Sequence, residues 1–343
     1  MVTGVNLGKN SGNSEEKLRD LGERRAIEII TALLSKDNEN IAIGPGDDCA
    51  AIELGEDYLL ITTDMAVSKT HFPPGITPYQ MGWFIVAINL SDLAAKGAEP
   101  LGVVVATGMP DDMDSIFLKD LISGMNSCAT QFRTSIIGGD LKVHDQLTLT
   151  GTAFGKVRKT EFMPRRGARP ADLVAVTGKL GGAGAAYYVI KNDLSVDDSI
   201  LKGLFEPVPR IQEGRVLAKT GAVTSSMDIS DGLADSLYQL AAINCVGFEI
   251  DFDKIPTSPG AQEIAKELDI PMEEFAVYFG GDYELLITLD PSNWEQVKND
   301  LQNINGSISV IGRVTSETDL ILIKENEKIQ LENRGYEHFK WKA

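Results

Sequence analysis

The stretch PYQMGWFIVAINLSDLAAK, residues 78 to 96, decides how this chain must fold. Thr77-Pro78 reads as an N-cap with proline at the first helical position, and Gly97 can end the last turn. The helix between them is apolar except on one face, where Asn89 and Asp92 stand three residues apart. An aspartate buried in such a helix needs a partner, either a bound ligand or a cap or loop hydrogen bond.

Around this helix, strand-type stretches (YLLITTD, LGVVVATG, TSIIGGD, QLTLTGTAFGKV) alternate with further helical patterns at residues 24 to 35 and 113 to 131. Residues 158 to 172, RKTEFMPRRGARPAD, gather Arg, Pro and Gly between two apolar regions and read as a domain junction. Beyond it LVAVTG, MDIS, VGFEIDF, ELLITLD, SISVIGRV and DLILIK read as strands, with helices near 183–192, 208–219, 231–243, 259–268 and 292–303. The expectation is an α+β protein of two mixed α/β domains, 18–157 and 158–343, after a flexible tail at 1–17 that has no apolar face.

Composition narrows the function classes. A net charge of −18 excludes a broad electrostatic footprint for nucleic acid or an anionic membrane surface. No apolar run reaches the roughly 20 residues a membrane span needs. Cys49, Cys128 and Cys245 are widely spaced, form no CxxC pair and follow no signal-peptide pattern, which fits a reduced, cytoplasmic setting.

In this acidic chain carboxylates recur where apolar runs end: GPGDD (44–48), TTD (62–64), NLSD (89–92), GGD (138–140), MDISDGL (227–233) and GGDYE (280–284). Any one of them is an ordinary turn. As a set they raise an electrostatic problem, because two carboxylates about 4 Å apart repel by roughly 4 kcal/mol at an effective dielectric near 20. If they converge, cations must sit among them. Carboxylate, hydroxyl and carbonyl donors without a Cys or His cluster favour Mg²⁺ over Zn²⁺, and Mg²⁺ bridging carboxylates to phosphates points to nucleotide chemistry. No GxxxxGK[ST] occurs, and GKLGGAGAAYY does not complete the dinucleotide fingerprint, although its amides could still meet an anion. None of His71, His144 and His338 accompanies a nucleophile motif such as GxSxG, and His71, just beyond TTD, is the one weighed as substrate-facing.

The ordered set GDDCA, TTDM…THF, AINLSDLAAKGAEP, IGGD, MDISDGLADSL, GGDYEL and GYEHF resembles the thiamine-monophosphate kinases, from about Leu21 to Phe339. Their superfamily includes aminoimidazole-ribotide synthetase. The resemblance implies transfer of the γ-phosphoryl of ATP to thiamine monophosphate, assisted by several Mg²⁺ ions. It also implies a homodimer whose amino-terminal domains form a β-barrel and whose carboxy-terminal α+β domains close the cleft.

Carried over position by position, the resemblance makes Asp48, Thr62, Thr63, Asp64, Asp92, Asp140, Asp228 and Asp231 metal ligands. Gly139, Asp140, Arg165 and Ser230 become ATP contacts, and His71, Asp282 and Tyr336 thiamine phosphate contacts. Asp64, Asp92, Asp231 and Arg165 would carry catalysis. The alternatives are an amidine-forming purine synthetase of the same superfamily and a metal- or nucleotide-binding regulator without turnover. GGDYEL is one residue shorter than the GGEDYEL of many members, Leu141-Lys142 replace small hydroxyl residues after GGD, and Lys69 replaces a small residue.

Overall fold

The computed structural model describes residues 17–34 and 39–334, which fall into two compact units divided near residue 38. The first contains the helices α1 (Leu18–Leu21) and α2 (Glu23–Leu33). Apart from Lys17, the expected tail lies outside the described residues.

The second unit holds two mixed sheets. One is built from β1 (Ile41–Ile43), β2 (Ala50–Leu54), β3 (Asp57–Val67), β4 (Glu99–Met109), β5 (Ile136–Val143) and β6 (Thr148–Arg158), in the order β1-β2-β3-β6-β4-β5. Its pairs are antiparallel except β4 with β5. Between its strands run α3 (Ser68–His71), α4 (Pro78–Ala95) and α5 (Ser115–Gln131).

The other sheet takes β7 (Leu173–Thr177), β8 (Val223–Asp228), β9 (Gly247–Asp251), β10 (Leu285–Leu289), β11 (Ile308–Thr315), β12 (Leu320–Lys324) and β13 (Glu327–Gln330) in the order β13-β12-β9-β11-β7-β10-β8. Only β9 and β12 pair in parallel. Its helices are α6 (Gly182–Lys191), α7 (Asp198–Phe205), α8 (Ile211–Thr220), α9 (Leu233–Asn244), α10 (Pro259–Leu268) and α11 (Trp294–Gln302). Both sheets are open and end on edge strands. α1, α3, α7, β1, β2 and β13 were not expected from the sequence; none is longer than eight residues.

α4 behaves as its composition requires. Thr77 and Gln80 form a reciprocal capping box at its start, and from Gly82 to Ala95 every residue but Asp92 is buried. One apolar cluster joins Ile85, Leu90 and Leu93 of α4 to Leu60 and Leu149 of the first sheet and to Leu285, Ile287 and Leu289 of β10. Leu286 of β10 points the other way, into a second cluster with Val176, Leu237 and Phe248. The run LLITL is continuously apolar because both faces of its sheet are covered.

Gly97 stops the helix at φ +67°, where a Cβ would come within 2.3 Å of the Ala218 Cβ. On its other flank α4 packs on α5 through Gly82 and Gly124. A Cβ on Gly124 would stand 1.8 Å from the Tyr79 carbonyl oxygen, so the two backbones meet with no room for a side chain. Gly124→Ala is expected to destabilise the protein by about 1–3 kcal/mol through overpacking, measured by urea unfolding. A loss below about 0.5 kcal/mol, the level of an ordinary surface change, would contradict this close contact.

Candidate active site

The end of α4 is where the two sheets exchange side chains. Asp47 and Asp48 lie in the turn between β1 and β2, and the Asp48 side chain is fully enclosed. Lys96, which caps α4, is likewise fully buried, with Nζ 2.6 Å from Asp47 Oδ1 and 2.7 Å from Asp48 Oδ2. It also donates to the Ser226 carbonyl of β8 at 2.7 Å. From the segment between the sheets, Arg165 donates through Nε to Asp48 Oδ1 at 2.7 Å, makes a second contact to that oxygen through Nη2, and reaches Gln239 Oε1 with Nη1 at 2.8 Å. Its backbone N–H donates to Asp47 Oδ2 at 3.0 Å. Burial would raise the Asp48 carboxyl, but Arg165 and Lys96 outweigh it and hold the group below its ordinary value.

At Asp64, Asp92 and Asp228 burial and like charge prevail; Arg165 lowers Asp228, but not enough to offset burial and Asp48. Asp48, Asp92 and Asp228 each offer an oxygen within 4.8 Å of the others. Asp92 accepts from the Thr62 hydroxyl, and Asp228 accepts from Ser91 Oγ at 2.6 Å. Burial, and then the charges of Asp64, Asp228 and Asp48, push Asp92 well above the usual carboxylate range. Asp64 is raised to about 6, by burial first and then Asp48; Asp228 is raised to about 7 by the same two causes.

The loop 280–284 lies along the residues after β8: Gly281 N donates to Ser230 O at 2.7 Å and Tyr283 N to Ile229 O at 2.9 Å. This brings Tyr283 beside the cluster, with Asp64, Asp228, Asp231 and Asp92 around its phenol; burial, then those charges, raise it strongly. Tyr283 has φ 52°, an unusual conformation for an aromatic residue, and its ring packs edge-on against Phe84 of α4 at 6.2 Å. Asp282 takes a different position: its carboxylate accepts from Gly181 N at 2.7 Å and Ala183 N at 3.1 Å, capping α6. The glycine-turn amides left open to an anion by the sequence are occupied by an internal carboxylate. Burial, opposed by those hydrogen bonds, raises Asp282 to about 7.

Among the expected site residues, Asp48, Thr62, Asp64, Asp92, Arg165, Asp228, Ser230 and Asp231 therefore gather around the end of α4 and β8. Thr63 does not point there: side chains alternate along β3, so Thr62 and Asp64 share the inner face while the Thr63 hydroxyl donates to Gly151 O at 2.8 Å. Gly139 and Asp140 lie on the exposed edge strand β5, where the Asp140 carboxylate is 3.0 Å from Lys142 Nζ. His71 ends α3, its Nδ1 3.2 Å from Val67 N. Tyr336 lies outside the described residues. Sequence reasoning missed Lys96, Ser91 and Tyr283. The available sign for Lys96 was its place one turn beyond Asp92 on an otherwise apolar helix, although a lysine at a helix end ordinarily reads as solvated.

No helix among the described residues is long and apolar enough to cross a membrane. The family model for AIR synthase related protein, N-terminal domain, matches residues 46–157, and that for AIR synthase related protein, C-terminal domain, matches residues 169–325. The chain is 35% identical over 318 residues to the thiamine-monophosphate kinase of Methanospirillum hungatei JF-1, covering 93% of this chain and 99% of the relative. It is 37% identical over 299 residues to the thiamine-monophosphate kinase of Halobacterium salinarum, with 87% and 94% covered. The solved structure of AaThiL complexed with AMPPCP and TMP matches with a TM-score of 0.82 at 26% identity, over 94% of this chain and 98% of that one.

The raised carboxyls give the metal-free protein a characteristic pH dependence. Folded Asp64 and Asp228 hold protons up to about 6 and about 7, whereas unfolded carboxylates have lost them by about pH 5. Unfolding therefore releases protons in this window, and stability falls as pH rises until it passes the folded values. Asp48, whose value is lowered, contributes stability that is already complete at the bottom of this range and does not oppose the fall. Calorimetric melting temperatures without metal are expected to drop from about pH 5 to about pH 8. A flat metal-free profile would contradict this convergence of buried carboxylates.

Proposed function

The chain belongs to the thiamine-monophosphate kinase family, and we propose on that premise that its acidic centre joins the phosphate chains of ATP and thiamine monophosphate. The products are thiamine diphosphate and ADP. The observation that carries this reading is the convergence of Asp48, Asp92 and Asp228 from three separate elements of a chain with net charge −18. Such a cluster is suited to anionic substrates only when divalent cations reverse its charge.

The donor set fits Mg²⁺. It consists of oxygens alone, and the raised proton affinities of Asp64, Asp92 and Asp228 are those of a site short of positive charge. Asp48, Asp92 and Asp228 would hold the ions, with Asp64, Asp231 and Thr62 around them. Thr63 and Asp140, the other ligands implied by the family, stand outside this cluster, Thr63 on the opposite face of β3 and Asp140 on the exposed strand β5. When bound, Mg²⁺ neutralises phosphate oxygens and serves as a template for in-line transfer. Arg165, whose side chain is 17% exposed, supplies a guanidinium to a phosphate oxygen of ATP, alongside Gly139, Asp140 and Ser230. His71, Asp282 and Tyr336 are assigned to thiamine monophosphate. The acceptor phosphate is already ionised, so transfer needs no strong general base, and positioning with charge stabilisation suffices.

Residues 158–172 are read as the junction between an amino-terminal ATP- and metal-binding domain and a carboxy-terminal domain that closes the cleft. A homodimer closing the first sheet into a barrel is supported by its edge strand β5, on which Ile137, Leu141 and Val143 are exposed. A reduced, cytoplasmic setting is supported by Cys49, Cys128 and Cys245 all being free thiols.

Purified protein incubated with ATP, Mg²⁺ and thiamine monophosphate is expected to form thiamine diphosphate and ADP in equal amounts, followed by chromatography, with none formed from thiamine. Asp92→Asn is expected to lower kcat by at least roughly 100-fold, the scale set by removing one electrostatic contact to the transferring group. ATP binding without thiamine diphosphate would bring forward the amidine-forming or purely binding alternatives. In sedimentation the unmodified chain is expected to run as a dimer and Val143→Glu as a monomer. A monomeric mass for the unmodified chain would sink the dimer.

A further inference from the structure

Lys96 has no part in the chemistry above, yet it is the most enclosed cation of the site. Its ammonium donates to the Ser226 carbonyl at 2.7 Å and forms ion pairs with Asp47 Oδ1 at 2.6 Å and Asp48 Oδ2 at 2.7 Å, and its side chain is 0% exposed. A lysine that binds phosphate must reach it; this one is enclosed, and the anions beside it are the protein's own carboxylates.

Its partners lie on the segments that carry the metal trio. Asp47 and Asp48 form the β1–β2 turn, Ser226 precedes Asp228 on β8, and Lys96 itself follows Asp92 at the end of α4. Ser91 to Asp228 and Ser226 Oγ to Ala95 O, at 2.6 and 2.8 Å, tie α4 to β8 but do not reach Asp48. Arg165 does reach both Asp48 and Ser225, yet its guanidinium stands nearer solvent and is the one that serves the nucleotide. Without the ammonium, the neighbouring Asp47 and Asp48 carboxylates would share Arg165 alone, and one of them would turn away or take up a proton.

We propose that Lys96 is a positioning residue of the metal centre, a fixed buried cation that holds the Asp48 oxygens at a set distance from those of Asp92 and Asp228. The inference rests on reading those three aspartates as metal ligands. It assigns Lys96 no contact with either substrate. Losing it should therefore weaken metal binding and slow turnover, while the affinity for thiamine monophosphate at saturating metal stays in place.

The test uses the full chain, with Mn²⁺ as the probe in the presence of a non-hydrolysable ATP analogue. Free Mn²⁺ is read by electron paramagnetic resonance, and unfolding is followed separately without metal. Lys96→Met is expected to bind Mn²⁺ roughly 10- to 100-fold more weakly and, at saturating metal, to lose kcat by a similar factor with KM for thiamine monophosphate nearly unchanged. The double variant Lys96→Met with Asp47→Asn removes one charge of each sign. It should regain most of the lost thermal stability but not the Mn²⁺ affinity. Recovery of Mn²⁺ affinity together with stability, or undiminished binding in Lys96→Met, would overturn the positioning role. Failure of both variants to fold would make Lys96 a stability element and overturn it as well. If the unmodified protein binds no Mn²⁺, the metal-site reading falls first and the inference falls with it.

Discussion

Like-charge repulsion at the end of α4 is the constraint to which the rest of the second unit answers. Carboxylates from a turn, a helix and a strand meet within 4.8 Å, in a protein that already carries a net charge of −18. At that separation each unscreened pair costs several kcal/mol, on the order of 4 at an effective dielectric near 20. The structure divides the problem in two. Asp47 and Asp48 receive permanent cations, Lys96 and Arg165, whereas Asp64, Asp92 and Asp228 are left to burial and protons. The second group has no such dedicated partner, and burial and like charge raise it.

α4 connects this electrostatic arrangement to the fold. Its burial between the first sheet and β10 fixes the helix along most of its length, so Asn89, Asp92 and Lys96 are presented from a rigid element. Ser91 and Lys96 then pin β8, the strand that ends in Asp228. Packing thus sets the distances on which the charge compensation relies, and the compensation in turn permits polar groups inside an apolar layer. The glycine contact between α4 and α5 belongs to the same scheme, because a helix held at backbone contact cannot shift along its axis.

Much of this was legible in the chain. The apolar run from residue 78, its Thr-Pro start and its glycine stop dictate a buried helix, since each signal acts within a few residues. The carboxylates at the ends of apolar runs, the absence of a Cys or His cluster and the acidic balance point to an oxygen-donor cluster, provided that the carboxylates converge. Period-two alternation even separates Thr63 from Thr62 and Asp64, once β3 is known to have only one face toward the site.

What only the tertiary structure decided concerns partners far apart in sequence. That Lys96 is buried rather than solvated depends on Asp47, Asp48 and Ser226 arriving from elsewhere. That Asp282 caps α6 depends on a loop roughly a hundred residues distant from Gly181. Local propensity is set by neighbours along the chain and can be read there. The charge state of a carboxylate and the role of a lysine are set by neighbours in space, and those exist only after the sheets have packed around α4.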